Sequence, residues 1–464
     1  MPGADVILDA LGLIVRELAL FAATGILIGG LNDLAVDCLW FAGRGKQLLS
    51  SGRTQLPALD RLPAPKRTGP MAVMIPAWDE AAVIAPMLAH SLKIFAGENV
   101  HIFVGCYPND PLTIDEIRFF ADTHPRIELA LCPGNGPTTK ADCLNAIWRT
   151  LENAEHRRGK RFKAIILHDA EDIVHRGEIA LFDRLIEGHA LVQVPVRPLP
   201  DRRSRWIANH YCDEFAEAHG KDLVVRTMLA AGIPSAGVGC AIDRAILGAL
   251  AAERDGRPFD AQSLTEDYEL GLRIAARGGR GIFVRMRDTN GGDLIAVHSH
   301  FPPDLNAAVR QKTRWVTGIA LAGWERLGWN GGWAERWMRL RDRATMLDAL
   351  VLFAAYAALL LSVVLLTMAA LTSYSPAPLS RLLKTLLALN FCLLIWRLAM
   401  RALFTARSYG WREGLWAIPR AITSNVIAMM AARRALVAYL RSNPALPPRW
   451  DKTRHIFPDF GAGG

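Results

Sequence analysis

Residues 164–172 read Ala-Ile-Ile-Leu-His-Asp-Ala-Glu-Asp. A run this short and apolar has the length of a buried strand, and the expectation is a strand over Ala164–His168. It ends in three carboxylates, Asp169, Glu171 and Asp172. Acids this close repel one another unless something cationic neutralises them. Carboxylates at the end of an apolar strand suit a hard divalent ion held by few protein oxygens, with water and substrate phosphate completing its shell. The bland alternative is a solvated loop before a helix, and the neighbouring sequence decides between them.

Further short apolar runs lie around this one. Met71–Ile75, His101–Gly105, Ile127–Leu131 and Leu191–Val196 also read as strands. Ala81–Phe95, Lys140–Leu151 and Ile179–Glu187 read as helices, the second carrying Leu144, Ile147, Trp148 and Leu151 at i, i+3, i+4 and i+7. Such alternation predicts an α/β fold, a mostly parallel sheet with flanking helices. Ligands of these sheets sit beyond the carboxyl ends of the strands. There the first strand runs into Pro76-Ala77-Trp78-Asp79-Glu80, and the second into Tyr107-Pro108-Asn109-Asp110-Pro111. Each cluster alone is ordinary turn chemistry. Three acidic clusters on one sheet edge are harder to assign to turns.

Three more segments carry polar groups at helix starts. Thr139 and Asp142 fit a capping box. Lys140 between them opposes the helix dipole, which suggests a phosphate contact as well as a place in a helix. Thr265-Glu266-Asp267 opens a helix that runs to Gly278, with Thr265 expected to cap it. Gln311, Arg314, Trp315 and Gly318 share one helical face. Arg and Trp there suit headgroup level, or phosphate binding and a flat stacking face.

The whole chain of 464 residues is 51% hydrophobic and 21% charged, with a net charge of +9. That excludes a disordered or fibrous protein. Seven scattered cysteines form no CxxC pair, which supports neither a disulfide framework nor a zinc site. The apolar residues gather at the two ends. Leu18–Phe41 reads as a retained N-terminal anchor, interrupted by Asp33 and Asp37. Ala349–Thr372 is uncharged, and Leu382–Leu403 is a third span. Gly414–Leu440, with Pro419, Arg420, Arg433 and Arg434, reads as an amphipathic helix lying on the membrane. Asp33 and Asp37 share a helix face. Pairing with a basic residue of another span, or a place near the headgroups, accounts for them; a polar lining for a passing product is the sharper alternative.

Arg44, Lys46, Arg53, Arg61, Lys66 and Arg67 follow the first span, and Arg336, Arg339, Arg341 and Arg343 precede the second. Basic flanks stay on the cytoplasmic side. The expected organisation is therefore an anchor over residues 1–43, a basic linker over 44–70, a cytoplasmic domain over 71–345, two transmembrane helices over 346–406, and an interfacial helix with a cytoplasmic tail over 407–464. This also explains the positive charge without nucleic acid as a partner.

The ordered set of motifs resembles inverting family-2 glycosyltransferases with a GT-A fold, of the membrane-embedded kind that includes cellulose and hyaluronan synthases. The resemblance covers residues 70–330. His168–Asp172, Tyr107–Pro111 and the tail Trp450-Asp451-Lys452-Thr453 are similar to the glycosyltransferase region of the bacterial phage adsorption protein B family. Members of that group are longer and carry a C-terminal region associated with cyclic di-GMP; the resemblance does not carry that regulation over to these residues.

The resemblance implies roles motif by motif. Glu80 and Asp110 match the acids that hold the base and ribose of the nucleotide. Asp169 and Glu171 match the DxD acids that bind Mg2+ or Mn2+ and the diphosphate, with Asp172 able to share that role. Asp267 matches the catalytic base of the TED motif. Gln311, Arg314 and Trp315 match the QxxRW residues that bind the diphosphate and the acceptor sugar. Lys140 is an added donor contact. The implied reaction moves a sugar from a nucleoside diphosphate sugar to a hydroxyl of a glycan or lipid-linked acceptor, at the bacterial inner membrane, for surface polysaccharide. With three spans, one copy is not expected to form an export channel alone, which leaves room for export partners or a homo-oligomer. The competing readings are a non-catalytic membrane scaffold and a membrane phosphosugar- or nucleotidyltransferase.

Overall fold

A computed structural model of the chain describes residues 2–51, 56–372, 374–441 and 457. The tail motif Trp450–Thr453 lies outside them. Helix α1 (Pro2–Ser51) is far longer than the expected anchor. Arg44 and Lys46 continue on the same helix, so the basic segment starts within it. The chain then alternates β1 (Met71–Pro76), α2 (Ala81–Ile94), β2 (Val100–Cys106), α3 (Pro111–Thr123), β3 (Ile127–Leu131), α4 (Lys140–Arg158), β4 (Ala164–Leu167) and α5 (Glu178–Leu185). Each expected strand and helix in this stretch is present, with most ends within one or two residues of expectation, whereas α4 runs two turns past the expected end at Leu151, to Arg158.

The expected strand Leu191–Val196 divides. β5 (Leu191–Gln193) stays in the main sheet, whereas β6 (Val196–Pro198) pairs with a later strand in a second, two-stranded sheet. Pro195 stands at the break and cannot donate to a ladder. Next come α6 (Ala208–Glu217), a π-helical turn (Ala218–Asp222), α7 (Leu223–Met228), β7 (Cys240–Asp243), α8 (Arg244–Ala252), α9 (Glu266–Ala276), β8 (Gly281–Phe283) and β9 (Val297–Ser299).

The main sheet has the order β3-β2-β1-β4-β7-β5-β8. β1, β2, β3 and β4 run parallel, and β7 lies antiparallel between β4 and β5. Leu167 is paired with Cys240, so the chain enters β7 at the edge where β1, β2 and β4 end. Alternate residues feed two apolar layers. Val73, Ile75, Ile102 and Val104 join one, under Met87, Ile117 and Phe182. Met74, Phe103 and Ile165 join the other, under the fully buried stripe Leu144, Ile147, Trp148 and Leu151. Strands covered on both faces are apolar throughout, and all six residues of β1 are buried.

The carboxyl-terminal third is helical: α10 (Leu305–Val316), a π-helical turn (Thr317–Ala322), α11 (Gly323–Leu327), α12 (Trp333–Arg343), α13 (Thr345–Leu371), α14 (Arg381–Tyr409) and α15 (Trp411–Arg441). Among the described residues four helices, α1, α13, α14 and α15, are long and apolar enough to cross a membrane, one more than expected. α15 packs on α14 and α13 and, along one face, also on α6, α10 and α11. Arg420 is paired with Asp213 of α6 and Ser424 bonds Glu214. Ile427 and Ala431 pack on Ala308 and Val309 of α10. Ala435 packs on Val316 and Ala320, and Tyr439 bonds Glu325 of α11 at 3.1 Å. One face of α15 thus follows the α/β domain along most of its length. Leu415, Ile418, Ile422, Val426, Leu436 and Leu440 are exposed.

Asp33 and Asp37 both pair with basic residues. Asp37 is fully buried, 2.6 Å from Lys221 Nζ, and also accepts the Trp396 indole N–H at 2.7 Å. Lys221 reaches Glu217 at 2.7 Å, and Glu217 reaches Arg397 at 2.5 Å. Arg397 and Arg341 both reach Asp33, at 3.3 and 3.0 Å. This chain of ion pairs ties α1, α12 and α14 to the end of α6 and its π-helical turn.

Candidate active site

A cavity of about 860 Å³ opens at the sheet edge where β1 and β4 end. Glu80, Lys140, Asp169, Glu171, Asp172, Asp267, Gln311, Arg314 and Trp315 all line it, together with Glu266. They come from β1, β4, α4, α9 and α10, so residues more than 230 positions apart in the sequence converge on one space.

Lys140 sits in the first turn of α4, just after Thr139, whose side chain caps the helix by accepting the Asp142 N–H at 3.0 Å. Its Nζ is 2.5 Å from Asp169 Oδ1. Burial disfavours its charge, but Asp169, Glu266 and Asp267 together outweigh that and raise its pKa. A single ammonium therefore serves three carboxylates. That is the balance a helix-opening lysine needs to hold its charge against the dipole.

The other charges in the cavity answer to the same crowding. Burial, then the adjacent Asp267, pushes the Glu266 carboxyl up to about 7. Burial also raises Asp267, with Lys140 opposing the shift. Asp267 Oδ1 accepts the Tyr268 N–H at 2.7 Å. Its other oxygen faces the backbone of Gly237, which has φ +75°; a Cβ built there would lie 2.5 Å from Asp267 Oδ2. Only glycine fits both the left-handed backbone and this close approach. Thr265 does not cap α9 with its side chain, contrary to expectation. It packs instead on Gly318, where a Cβ would be 2.4 Å from Thr265 Oγ1. The turn carrying Asp267 is thereby seated on the segment that follows Trp315. Trp315 itself stands against Tyr211 and Phe215, with ring centroids 6.1 and 6.4 Å away.

Two expected residues have other duties. Asp110 is not among the residues lining the cavity. Its carboxylate accepts the Asp79 N–H at 2.6 Å and the Thr113 N–H at 3.3 Å, capping α3 and holding Asp79 at φ 54°. Asp172 touches the cavity, yet its Oδ2 accepts the Asp169 N–H at 2.9 Å and lies 3.1 Å from His168 Nδ1. His168 Nε2 is 2.7 Å from Glu178. Burial opposes a charge on this imidazole, but Glu178 and Asp172 overcome it and raise His168 to about 10. Asp172 therefore positions the loop bearing Asp169 through its Oδ2.

Asp169 and Glu171 remain as hard oxygen donors beside the cavity, the chemistry that suits Mg2+ or Mn2+. Among the described residues no three His, Cys, Asp or Glu side chains converge as a complete metal cage. A divalent ion held by one or two carboxylates, with phosphate oxygens and water for the rest, needs no such cage. The donor set fits that arrangement.

Sequence reading missed Gly237, Glu266 as a titrating partner, and the Arg226–Asp342–Tyr268 cluster. In that cluster Asp342 accepts from Arg226 at 3.0 and 2.9 Å and from the Tyr268 hydroxyl at 2.6 Å. It joins α12 to α9 one residue beyond Asp267. The positive φ of Gly237 could have been suspected from the SAGVG stretch at 235–239; the long-range pairing leaves no local signal.

Sheet order, flanking helices and a polar cavity at the carboxyl edge define the GT-A class of glycosyltransferase folds. A mannosyltransferase from Pyrobaculum calidifontis, solved with GDP-Man and Mn2+, superposes with a TM-score of 0.53 at 18% identity, covering 92% of this chain and 99% of that one. The chain belongs to the glycosyltransferase like family 2, which it matches over residues 68–318. It is 36% identical over 467 aligned residues to the Bacteriophage adsorption protein B of Escherichia coli strain K12, and equally to the Bacteriophage N4 adsorption protein B of Escherichia coli O157:H7. The match takes in 96% of this chain and 62% of each relative, so the chain spans under two thirds of their length.

Proposed function

We propose that this protein is an inverting glycosyltransferase of the bacterial inner membrane. It takes a nucleoside diphosphate sugar, with UDP-sugars the first class to test, and glycosylates a hydroxyl of a glycan or lipid-linked acceptor in surface polysaccharide synthesis. The observation that carries the reading is the single cavity uniting Lys140, Asp169, Glu171, Asp267, Gln311, Arg314 and Trp315. The basic residues at the inner ends of the membrane helices favour a cytoplasmic catalytic domain.

In this reading Asp267 accepts the proton of the acceptor hydroxyl as its oxygen attacks the anomeric carbon. Its burial favours that role, because a raised carboxyl pKa makes a stronger base. The bond from the anomeric carbon to the diphosphate oxygen breaks on the opposite face, and nucleoside diphosphate departs. Lys140 and Arg314 stabilise the charge growing on the departing oxygen. Trp315 offers its face to the acceptor sugar, which makes attack a local event. A divalent ion bound at Asp169 and Glu171 would add Lewis-acid stabilisation of the diphosphate. Glu80, buried at the end of β1, is assigned to the nucleotide.

α15 is assigned to the inner membrane surface: its length and composition would let it cross, but its face from Arg420 to Tyr439 is committed to α6, α10 and α11, and it carries Arg420, Arg433 and Arg434. In a background without native cysteines, Leu440→Cys should react with an impermeant maleimide only after the inner membrane is opened; labelling from outside would overturn the placement. For the reaction, the full chain in lipid nanodiscs with Mg2+ or Mn2+ should release nucleoside diphosphate from one member of a nucleotide-sugar panel. No release from any donor, together with no thermal stabilisation by one, would overturn it.

A further inference from the structure

Away from the catalytic cavity, a groove of about 580 Å³ lies between α10 and α15. Its walls are Val309, Met430, Val437 and Ala438 on the apolar side, and Arg433, Arg434 and Arg441 with Asn306 on the polar side. No acidic residue is among the described residues that line it. Met430, Arg434, Val437 and Arg441 follow one another at helical spacing along α15, so the basic and apolar groups interleave on one face. The exposed apolar side chains Ile422, Val426, Leu436 and Leu440 run beside them.

We infer that this groove binds one anionic phospholipid of the inner leaflet, with its phosphodiester between the three arginines and the start of an acyl chain against Met430 and Val437. The chemistry is complementary on both counts. Guanidinium forks match phosphate oxygens, and an uncompensated basic pocket between helices at the cytoplasmic membrane face suits an acidic headgroup. The apolar wall continues into the exposed stripe of α15, which a soluble anion would leave uncovered. The inference rests on the surface placement of α15 proposed above, and the maleimide experiment tests that placement separately. No glycosyl transfer enters the readout, so failure here leaves the catalytic reading untouched.

The test is native mass spectrometry of the full chain released from nanodiscs of mixed phosphatidylglycerol and phosphatidylcholine. The wild type should retain phosphatidylglycerol in preference to phosphatidylcholine. The variant Arg433→Gln, Arg434→Gln, Arg441→Gln should lose that preference about tenfold or more, given the contribution of each basic residue near an anionic surface. Arg157→Gln, Arg158→Gln, Arg161→Gln, at and just beyond the far end of α4, should keep it. Equal loss in both triple variants, or none in the first, overturns the site. So does a wild type that retains no lipid. Stabilisation of lipid-free protein by inorganic phosphate, lost in the first variant and with no lipid retained, would overturn it in favour of a free anion.

Discussion

Two groups of buried and half-buried charges are built on opposite principles. In the membrane collar, Asp37, Lys221, Glu217, Arg397, Asp33 and Arg341 alternate in sign, and each has an opposite charge within 3.3 Å. In the candidate active-site cavity Lys140 answers to Asp169, Glu266 and Asp267 at once, with Arg314 acting on the last two, and those two acids still have raised pKa values. A closed network fixes geometry. A crowded acidic one stores a demand for protons and cations, which a substrate and its ion can meet. The two therefore predict different damage from equally small substitutions.

The largest effect belongs to the cavity. Asp267→Asn keeps the size of the side chain and removes the proposed base. Turnover should fall by roughly a hundredfold or more, while thermal stability stays the same or rises, because a repelling charge is lost. Steady-state release of nucleoside diphosphate and a melting curve check both halves. A stability loss equal to the activity loss would mean that the cavity is wired like the collar.

Next comes the collar. Lys221→Met leaves Asp37 and Glu217 facing each other, the first fully buried. Breaking one partner of a buried pair costs about 3–5 kcal/mol, so the melting temperature in detergent should drop sharply with no change in donor KM for the folded fraction. Combining it with Asp37→Leu should recover part of the loss, because the second charge is removed as well. A double variant no better than the single one would show that Asp37 and Lys221 do not act as a pair.

A smaller, pH-dependent effect sharpens the contrast. Glu266 stands at about 7 when folded against an ordinary value of 4.5. The folded state holds the proton more tightly, so its contribution to stability is fully present below about pH 4.5 and is lost as pH rises through about 7. Glu266→Gln should flatten that part of the profile of melting temperature against pH. His168 works over a different window: its value of about 10 against an ordinary 6.5 gives a contribution present below about pH 6.5 and lost as pH rises through about 10. The variant Glu266→Gln should leave this alkaline limb in place.

How far the sequence could anticipate this arrangement follows from the range of the interactions. The strands of β1 to β4 and the stripe of α4 were legible because a local period decides them. β7 was not: four residues hemmed by Gly237, Gly239 and a capping Asp243 carry no period, and only insertion between β4 and β5 makes them a strand. Asp33 and Asp37 announced a pairing, yet Lys221 is 184 residues from Asp37 and nothing local names it. The cavity acids were legible as clusters at strand ends. Their division of labour was not, because Asp172 and Asp169 look alike in sequence and differ only in facing His168 or Lys140.

Asp110 gives the smallest and most discriminating test, because it resembles a cavity acid in sequence and behaves as a collar residue in structure. Its carboxylate meets two backbone N–H groups, Asp79 through Oδ2 and Thr113 through Oδ1, so each bond uses its own oxygen. Asp110→Asn keeps one acceptor oxygen for the two donors and turns its NH2 towards the other N–H, so the melting temperature should fall, by less than in Asp110→Ala. Asp110→Ala removes both oxygens and should cost about 1 kcal/mol, the usual loss of a helix cap. If capping is its whole role, donor KM in Asp110→Asn stays at the wild-type value. A KM that rises in the folded fraction of Asp110→Asn would place the charge of Asp110 in contact with the nucleotide, and would return it to the cavity group where its motif first put it.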